Sequence, residues 1–273
     1  MELQTQWVQI GSAADAVPAY FARPAHAHAP LPAAIVIQEI WGVDEHIRDL
    51  TERFATAGYC AVAPDLYAHG GQRPESLAAE RIESLKHFME TVPPSAWQSP
   101  AEMDAALDRV PEPRRSELRG TRGVLFGGAR DVTPHVGDLL ATAAWLRANA
   151  ACQGRKVVST GYCMGGALSA LLACSDPDLA AAAVYYGSAP AAERLASIRC
   201  PVFGFYGADD PRVTGGVPAF AEAMAAQGKR FEHRIYPETP HAFFNDTRAS
   251  YRIESARDAW ATTLAFFAEA VRR

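Results

Sequence analysis

One cysteine in this chain stands where a nucleophile would be built. Val157-Val158-Ser159-Thr160-Gly161-Tyr162-Cys163-Met164-Gly165-Gly166 sets Cys163 in a G-x-C-x-G turn between a β-branched run and an Ala/Leu-rich segment. A strand ending in Gly-x-nucleophile-x-Gly must turn sharply into a helix. Only small flanking residues let the backbone fold that tightly while the nucleophile projects from the sheet's edge. The helix N-terminus behind it, with its partial positive charge and N–H groups, suits a thiolate and an oxyanion formed on a carbonyl substrate. Cys60, Cys152, Cys174 and Cys200 have no such glycine frame and read as small buried hydrophobes.

A thiol nucleophile needs a base and a group to orient that base. Beyond an elbow of this kind, the acid and then the histidine are expected on loops that follow strands. Val202-Phe203-Gly204-Phe205-Tyr206 runs into Gly207-Ala208-Asp209-Asp210-Pro211, so Asp209 and Asp210 both stand at a strand's C-terminal end. The next strand ends at Tyr236 and leads into Pro237-Glu238-Thr239-Pro240-His241, which makes His241 the candidate base. His233 falls mid-strand, and His46, His69, His87 and His135 fall in helices or in an insertion, where surface or helix-end roles are expected. A further carboxylate, Glu39, comes directly after a buried strand. Desolvation favours the neutral form of such an acid, so either a chemical role or an ion pair, with Arg48 for instance, has to account for it.

These loops need a sheet to hold them. Residues 7–10 and 20–23 read as two short N-terminal strands, and 33–38 as the first buried strand, because a continuous apolar run suits a sheet covered on both faces. A helix over 45–56 puts Ile47, Leu50 and Phe54 on one face, with Gly58 just beyond as a left-handed cap. Strands over 60–63, 157–160, 181–186, 202–206 and 231–236 alternate with helices over 134–149, 165–173 and 217–227. A C-terminal helix follows, with Ile253, Ala256, Trp260, Leu264 and Phe267 on one face. Such alternation predicts an α/β fold with a doubly wound, mostly parallel sheet. From about residue 68 to 133 no strand is legible. Helices over 76–89 and 100–109 and the Gly-rich Gly123-Val124-Leu125-Phe126-Gly127-Gly128 are expected there, in an insertion over the carboxyl ends of the strands.

The 273 residues, 49% hydrophobic with net charge −5, suit one large α/β domain spanning the whole chain, the insertion included. Neither a secretory leader nor a run of transmembrane length is legible, so a cytoplasmic protein that binds no membrane is expected. Five cysteines at scattered spacing do not make a disulfide framework, and there is no C-x-x-C pair. His26 and His28 on a Pro-rich loop lack a full metal-ligand set. Arg114, Arg115, Arg119, Arg122 and Arg130 have no interleaved aromatics and read as solvated surface rather than a nucleic-acid site.

These residues resemble the dienelactone hydrolase family of the α/β-hydrolase superfamily. The resemblance rests on the cysteine elbow, Gln38-Glu39-Ile40-Trp41-Gly42, Pro64-Asp65-Leu66-Tyr67, the acid loop and the His-x-Phe turn, and it covers most of the chain. It implies the α/β-hydrolase fold with a helical lid and a carboxymethylenebutenolidase-like hydrolase. Such an enzyme acts on a lactone or ester through a thiolate and an acyl-enzyme, without metal or organic cofactor, as a monomer or homodimer. On the family's spacing the orienting acid is Asp210 rather than Asp209. The resemblance further implies an oxyanion hole from the backbone N–H groups of Ile40 and Met164. It gives Glu39 the part of contacting the resting thiol and taking its proton when substrate displaces it. Known members bind an anionic lactone through two arginines. Arg81 matches the first as a substrate-binding residue, or else is a surface charge paired with nearby glutamates, whereas Asn245 stands where the second would be. A dienelactone is therefore one substrate among several lactones and esters. A general carboxylesterase of this fold is the alternative, followed by a thiol redox sensor and a non-catalytic binding module. The sensor lacks an evident resolving cysteine, and the binding module would be expected to have lost Cys163, Asp210 or His241.

Overall fold

A computed structural model describes residues 1–12, 14–97, 99–127 and 131–272; Gly128 and Arg130 lie outside the described residues. The strands are β1 (Leu3–Ile10), β2 (Val17–Pro24), β3 (Ala33–Ile37), β4 (Cys60–Pro64), β5 (Val157–Tyr162), β6 (Leu179–Tyr185), β7 (Val202–Gly207) and β8 (Phe231–Tyr236). They form one sheet in the order β1-β2-β4-β3-β5-β6-β7-β8. β1 and β2 run antiparallel to their neighbours, and β3 to β8 are parallel. From β3 the chain steps outward to β4 and then returns to β5 on β3's other side. The ends of β3 and β5 therefore flank the crevice where open α/β sheets bind ligands.

The helices are α1 (Glu45–Thr56), α2 (Ala79–Thr91), α3 (Pro100–Asp108), α4 (Arg114–Phe126), α5 (His135–Ala148), α6 (Met164–Ser175), α7 (Pro211–Thr214), α8 (Val217–Ala226) and α9 (Ile253–Arg272). Every residue of β3, β4, β5 and β7 is buried, as continuous apolar strands require when helices cover both faces. Successive side chains serve opposite layers. Ile35, Ile37 and Val62 pack with Leu139, Leu168 and Phe220, whereas Ala34, Val36 and Phe205 pack with Leu50, Phe54 and Phe267. α1 begins at Asp44, whose side chain accepts from Ile47 N. It ends with Gly58 at φ +95°, where Gly58 N bonds Ala55 O and Tyr59 N bonds Phe54 O. Two orphan carbonyls are thereby satisfied.

Between β4 and α5 the described residues hold no strand, and the insertion builds a third apolar cluster. Ile82, Leu85, Phe88, Met103, Leu107, Leu118 and Leu125 meet there around Trp41 from the loop after β3. Two expectations change. Residues 114–126 form a helix, α4, where the sequence alone reads only as a Gly-rich run and solvated arginines. Its arginines do face outward, with Arg115 on Glu112, Arg119 on Asp108 and Arg122 near Asp104. Ile253 is exposed rather than on the buried face of α9, which Ala256, Ala259, Thr263, Phe266 and Phe267 supply. No helix among the described residues is long and apolar enough to cross a membrane.

Candidate active site

The tight packing at the end of β5 explains the glycines around Cys163. A Cβ on Gly161 would lie 1.8 Å from Gly165 O, one on Gly165 2.3 Å from Ile37 O, and one on Gly166 2.5 Å from Tyr185 O. With no side chain in the way, β5 turns directly into α6, and Cys163 takes φ 55°, ψ −114°. Such a conformation costs on the order of 1–3 kcal/mol and is held by its surroundings. The surroundings here are visible: Cys163 N donates to Tyr185 O at 3.0 Å, and Gly166 N donates back to Cys163 O at 3.0 Å. The thiol is left half-buried at the mouth of the sheet.

The two loops that carry the acid and the histidine are joined to one another. Ala208 N bonds Tyr236 O and Asp209 N bonds Thr239 O, and Gly207 packs so closely that a Cβ would sit 2.2 Å from Thr239 O. That contact brings Asp210 Oδ2 within 2.5 Å of His241 Nδ1, while Asp209 is exposed and turned away. His241 also has the Cys163 thiol as a hydrogen-bond partner and stands edge-on to Tyr186, with ring centres 5.1 Å apart. Burial lowers the proton affinity of His241. The charge that Cys163 carries as a thiolate and the hydrogen bonds to Asp210 and Cys163 outweigh it, and the imidazole is pushed up to about 10.

Glu39 is buried at the end of β3 and pairs with no arginine among the described residues. Instead Tyr186 donates its hydroxyl to Oε1 at 3.1 Å, and Asn245 donates its amide to Oε2 at 2.8 Å. Burial first, and then the charges of Glu39, Tyr162 and Cys163, hold the Tyr186 hydroxyl well above the usual tyrosine range. Tyr186 is thus beside both the carboxylate and the thiol. Ile40 follows in a turn closed by Gly42 N on Glu39 O at 3.2 Å. Tyr67 Oη donates to Ile40 O at 2.7 Å and reaches Met164 Sδ at 3.8 Å, which sets the two candidate oxyanion-hole residues side by side. Met164 opens α6 directly after Cys163.

Next to Met164 is a cavity of about 240 Å³, lined by Leu66, Tyr67, Leu77, Val124, Leu125 and His135. A larger groove of about 710 Å³ lies between α1 and the insertion, on the other side of Trp41, and contains none of the candidate catalytic side chains. Arg81 has acidic partners: its guanidinium bonds Glu75 at 2.7 Å and meets Glu117 at 3.3 Å. This is the geometry of a surface charge with acidic neighbours. Arg248 stacks on Trp41, 5.2 Å from the ring centre, and lies 3.4 Å from Glu90. Cys60 and Cys152, remote in sequence, share a hydrogen bond in the core. Cys60 opens β4 and Cys152 lies in the turn that leads into β5, at the opposite end of that strand from Cys163. Sequence spacing pointed to Cys163 and His241 and left Asp209 and Asp210 both open, with Asp210 chosen by the resemblance; the structure brings Cys163, Asp210 and His241 together. Spacing did not find Tyr186 or the contact between Asn245 and Glu39, which no local signal marks.

This constellation can perform acyl transfer: a thiol on a strained elbow, a base held by an acid, and amides beside them. The family model described as the dienelactone hydrolase family matches residues 17–271. A protein of Saccharolobus solfataricus, described provisionally as a carboxymethylenebutenolidase, is 31% identical over 240 residues, which are 87% of this chain and 89% of that one. One from Escherichia coli K12 with the same description is 31% identical over 272 residues, 96% of this chain and 85% of that one. A crystal structure from Klebsiella pneumoniae, described provisionally as a dienelactone hydrolase, superposes with TM-score 0.71 at 31% identity, covering 98% of this chain and 99% of that one.

Proposed function

Because the chain belongs to the dienelactone hydrolase family, and is a hydrolase of ester or lactone bonds, we propose that it works through Cys163 as a covalent nucleophile. The observation that carries this reading is the junction of β5 and α6, where the strained cysteine meets His241 and His241 meets Asp210. When substrate enters, the thiol proton passes to Glu39 and the thiolate attacks the carbonyl carbon. The N–H groups of Ile40 and Met164 receive the oxyanion. A C–S bond forms, the ester C–O bond breaks, and His241 gives its proton to the departing alkoxide. His241 then takes a proton from water, the hydroxide attacks the thioester, and the C–S bond breaks to return the thiolate. Finally Glu39 returns its proton to the thiol.

The substrate of this reading is a lactone or activated ester that fits the cavity beside Met164, with the helical insertion as its lid. A general carboxylesterase uses the same steps on open-chain esters. Cys163→Ala is expected to remove nearly all turnover of a chromogenic aryl ester, and chelators are expected to change nothing. A Cys163→Ala variant that stays active would overturn the reading. Peroxide-dependent thiol loss without ester turnover would favour a redox sensor instead.

A further inference from the structure

The catalytic carboxylate is held from the far end of the chain. We infer that Asn245 is the positioning residue of Glu39, fixing the carboxylate at the nucleophile with a neutral amide so that its charge stays uncancelled and available to a proton. This rests on the reading that Glu39 accepts the Cys163 proton.

Asn245 is 1% exposed, and its amide has only one usable orientation. Its Oδ1 accepts from Thr247 N at 3.1 Å and from Thr247 Oγ1 at 2.6 Å, so the NH₂ group must face Glu39. Asn245 N closes a turn on Ala242 O at 3.1 Å, which ties the clamp to the loop that carries His241. The neighbouring Asp246 secures the other side, with Arg53 Nη2 at 2.5 Å and His46 Nδ1 at 3.3 Å. Those hydrogen bonds, that of His46 first, keep the Asp246 carboxyl well below the usual carboxylate range, against the effect of its partial burial. The clamp therefore stands on a fixed ion pair.

The titratable groups that feel Glu39 are Tyr186 and Tyr162, and Tyr186 in turn adjoins Cys163 and His241. Arg53, a cation felt by Tyr162, is already taken by Asp49 and Asp246. A hydrogen bond donated to a carboxylate favours its ionised form, and a full cation favours it far more and competes with the proton. The amide of Asn245 supplies the first effect without the second.

The test uses the whole protein and a neutral aryl ester. Asn245→Leu removes the donor, so the acid limb of kcat/KM should move up by about one pH unit and the values on the acid side of that limb fall roughly tenfold, with the plateau and KM little changed. In a Glu39→Gln background the same substitution should add nothing, because Asn245 acts only through Glu39. An unmoved limb, or an equal loss at every pH in both backgrounds, would overturn the inference. If Asn245→Leu does not fold, Thr247→Val releases only the far side of the amide. It should move the limb the same way by less, and an unmoved limb there is equally fatal. If the wild type fails to turn over the ester, or Cys163→Ala retains turnover, the proposed function falls and this inference with it. A Cys163-dependent wild type with an unmoved limb removes Asn245 alone.

Discussion

At His241, burial by itself would favour the neutral imidazole, and the charge of Cys163 with the hydrogen bonds of Asp210 and Cys163 reverses that preference. Since the folded group is raised from about 6.5 to about 10, its contribution to stability is fully present below pH 6.5 and is lost as pH rises through about 10. The imidazolium is also the acid that protonates the leaving group, so turnover of esters with poor leaving groups should fall over the same range. Asp210→Asn removes a partner that favours the charged ring and should bring that alkaline limb to lower pH; a pH–rate profile with the limb unmoved contradicts the assignment. Glu39→Gln should slow turnover with the fold intact, and titration of the thiol by ultraviolet absorbance is the check. An unchanged Cys163 titration with unchanged kinetics would return Glu39 to a structural part. Cys163 and His241 were legible because each sits beside a local marker, an elbow or a strand end, whereas the strand end before the acid left Asp209 and Asp210 both open and only the family's spacing chose Asp210. The partners of Glu39 were not legible, since Tyr186 and Asn245 lie 147 and 206 residues away from it in sequence.

The elements make the elbow possible only because β3, β5 and β6 approach α6 with no side chain between them. Gly165→Ala would push a methyl group against Ile37 O and Gln38 O, both backbone atoms that cannot step aside. A loss of roughly 3 kcal/mol is expected, read as a lowered urea midpoint with unchanged slope. A shift under about 0.5 kcal/mol would mean that the close packing is relieved in solution. The buried parallel strands were readable from their apolar runs, and α1 from its cap residues. α4 was not, because Gly120 and Gly123 lower helix propensity. Burial of Leu118, Thr121 and Leu125 in the insertion's own core overrides that cost. Ile253 failed in the opposite sense: it fits the helical period of α9 but stands at the helix's first residue, beyond the layer that the period would bury it in.

Over the whole molecule, two layers of helices enclose the sheet, and the insertion rests on it around Trp41 with a smaller core of its own. Hydrogen exchange should therefore find the amides of α2, α3 and α4 opening at lower free energy than those of β3 to β7; equal protection throughout would mean that the insertion is not a separable lid. Substrate choice tests the same arrangement. With Arg81 held by Glu75 and Glu117, Arg81→Ala should affect paired anionic and neutral lactones alike, and selective loss on the anionic one would bring Arg81 back to the substrate. The most direct measurement of the chemistry is intact mass of the protein after rapid quench with an activated ester. One acyl group should accumulate on the wild type, map to the peptide that contains Cys163, and be missing from Cys163→Ala. Turnover without any such adduct, or an adduct that maps to another residue, would contradict covalent catalysis by Cys163.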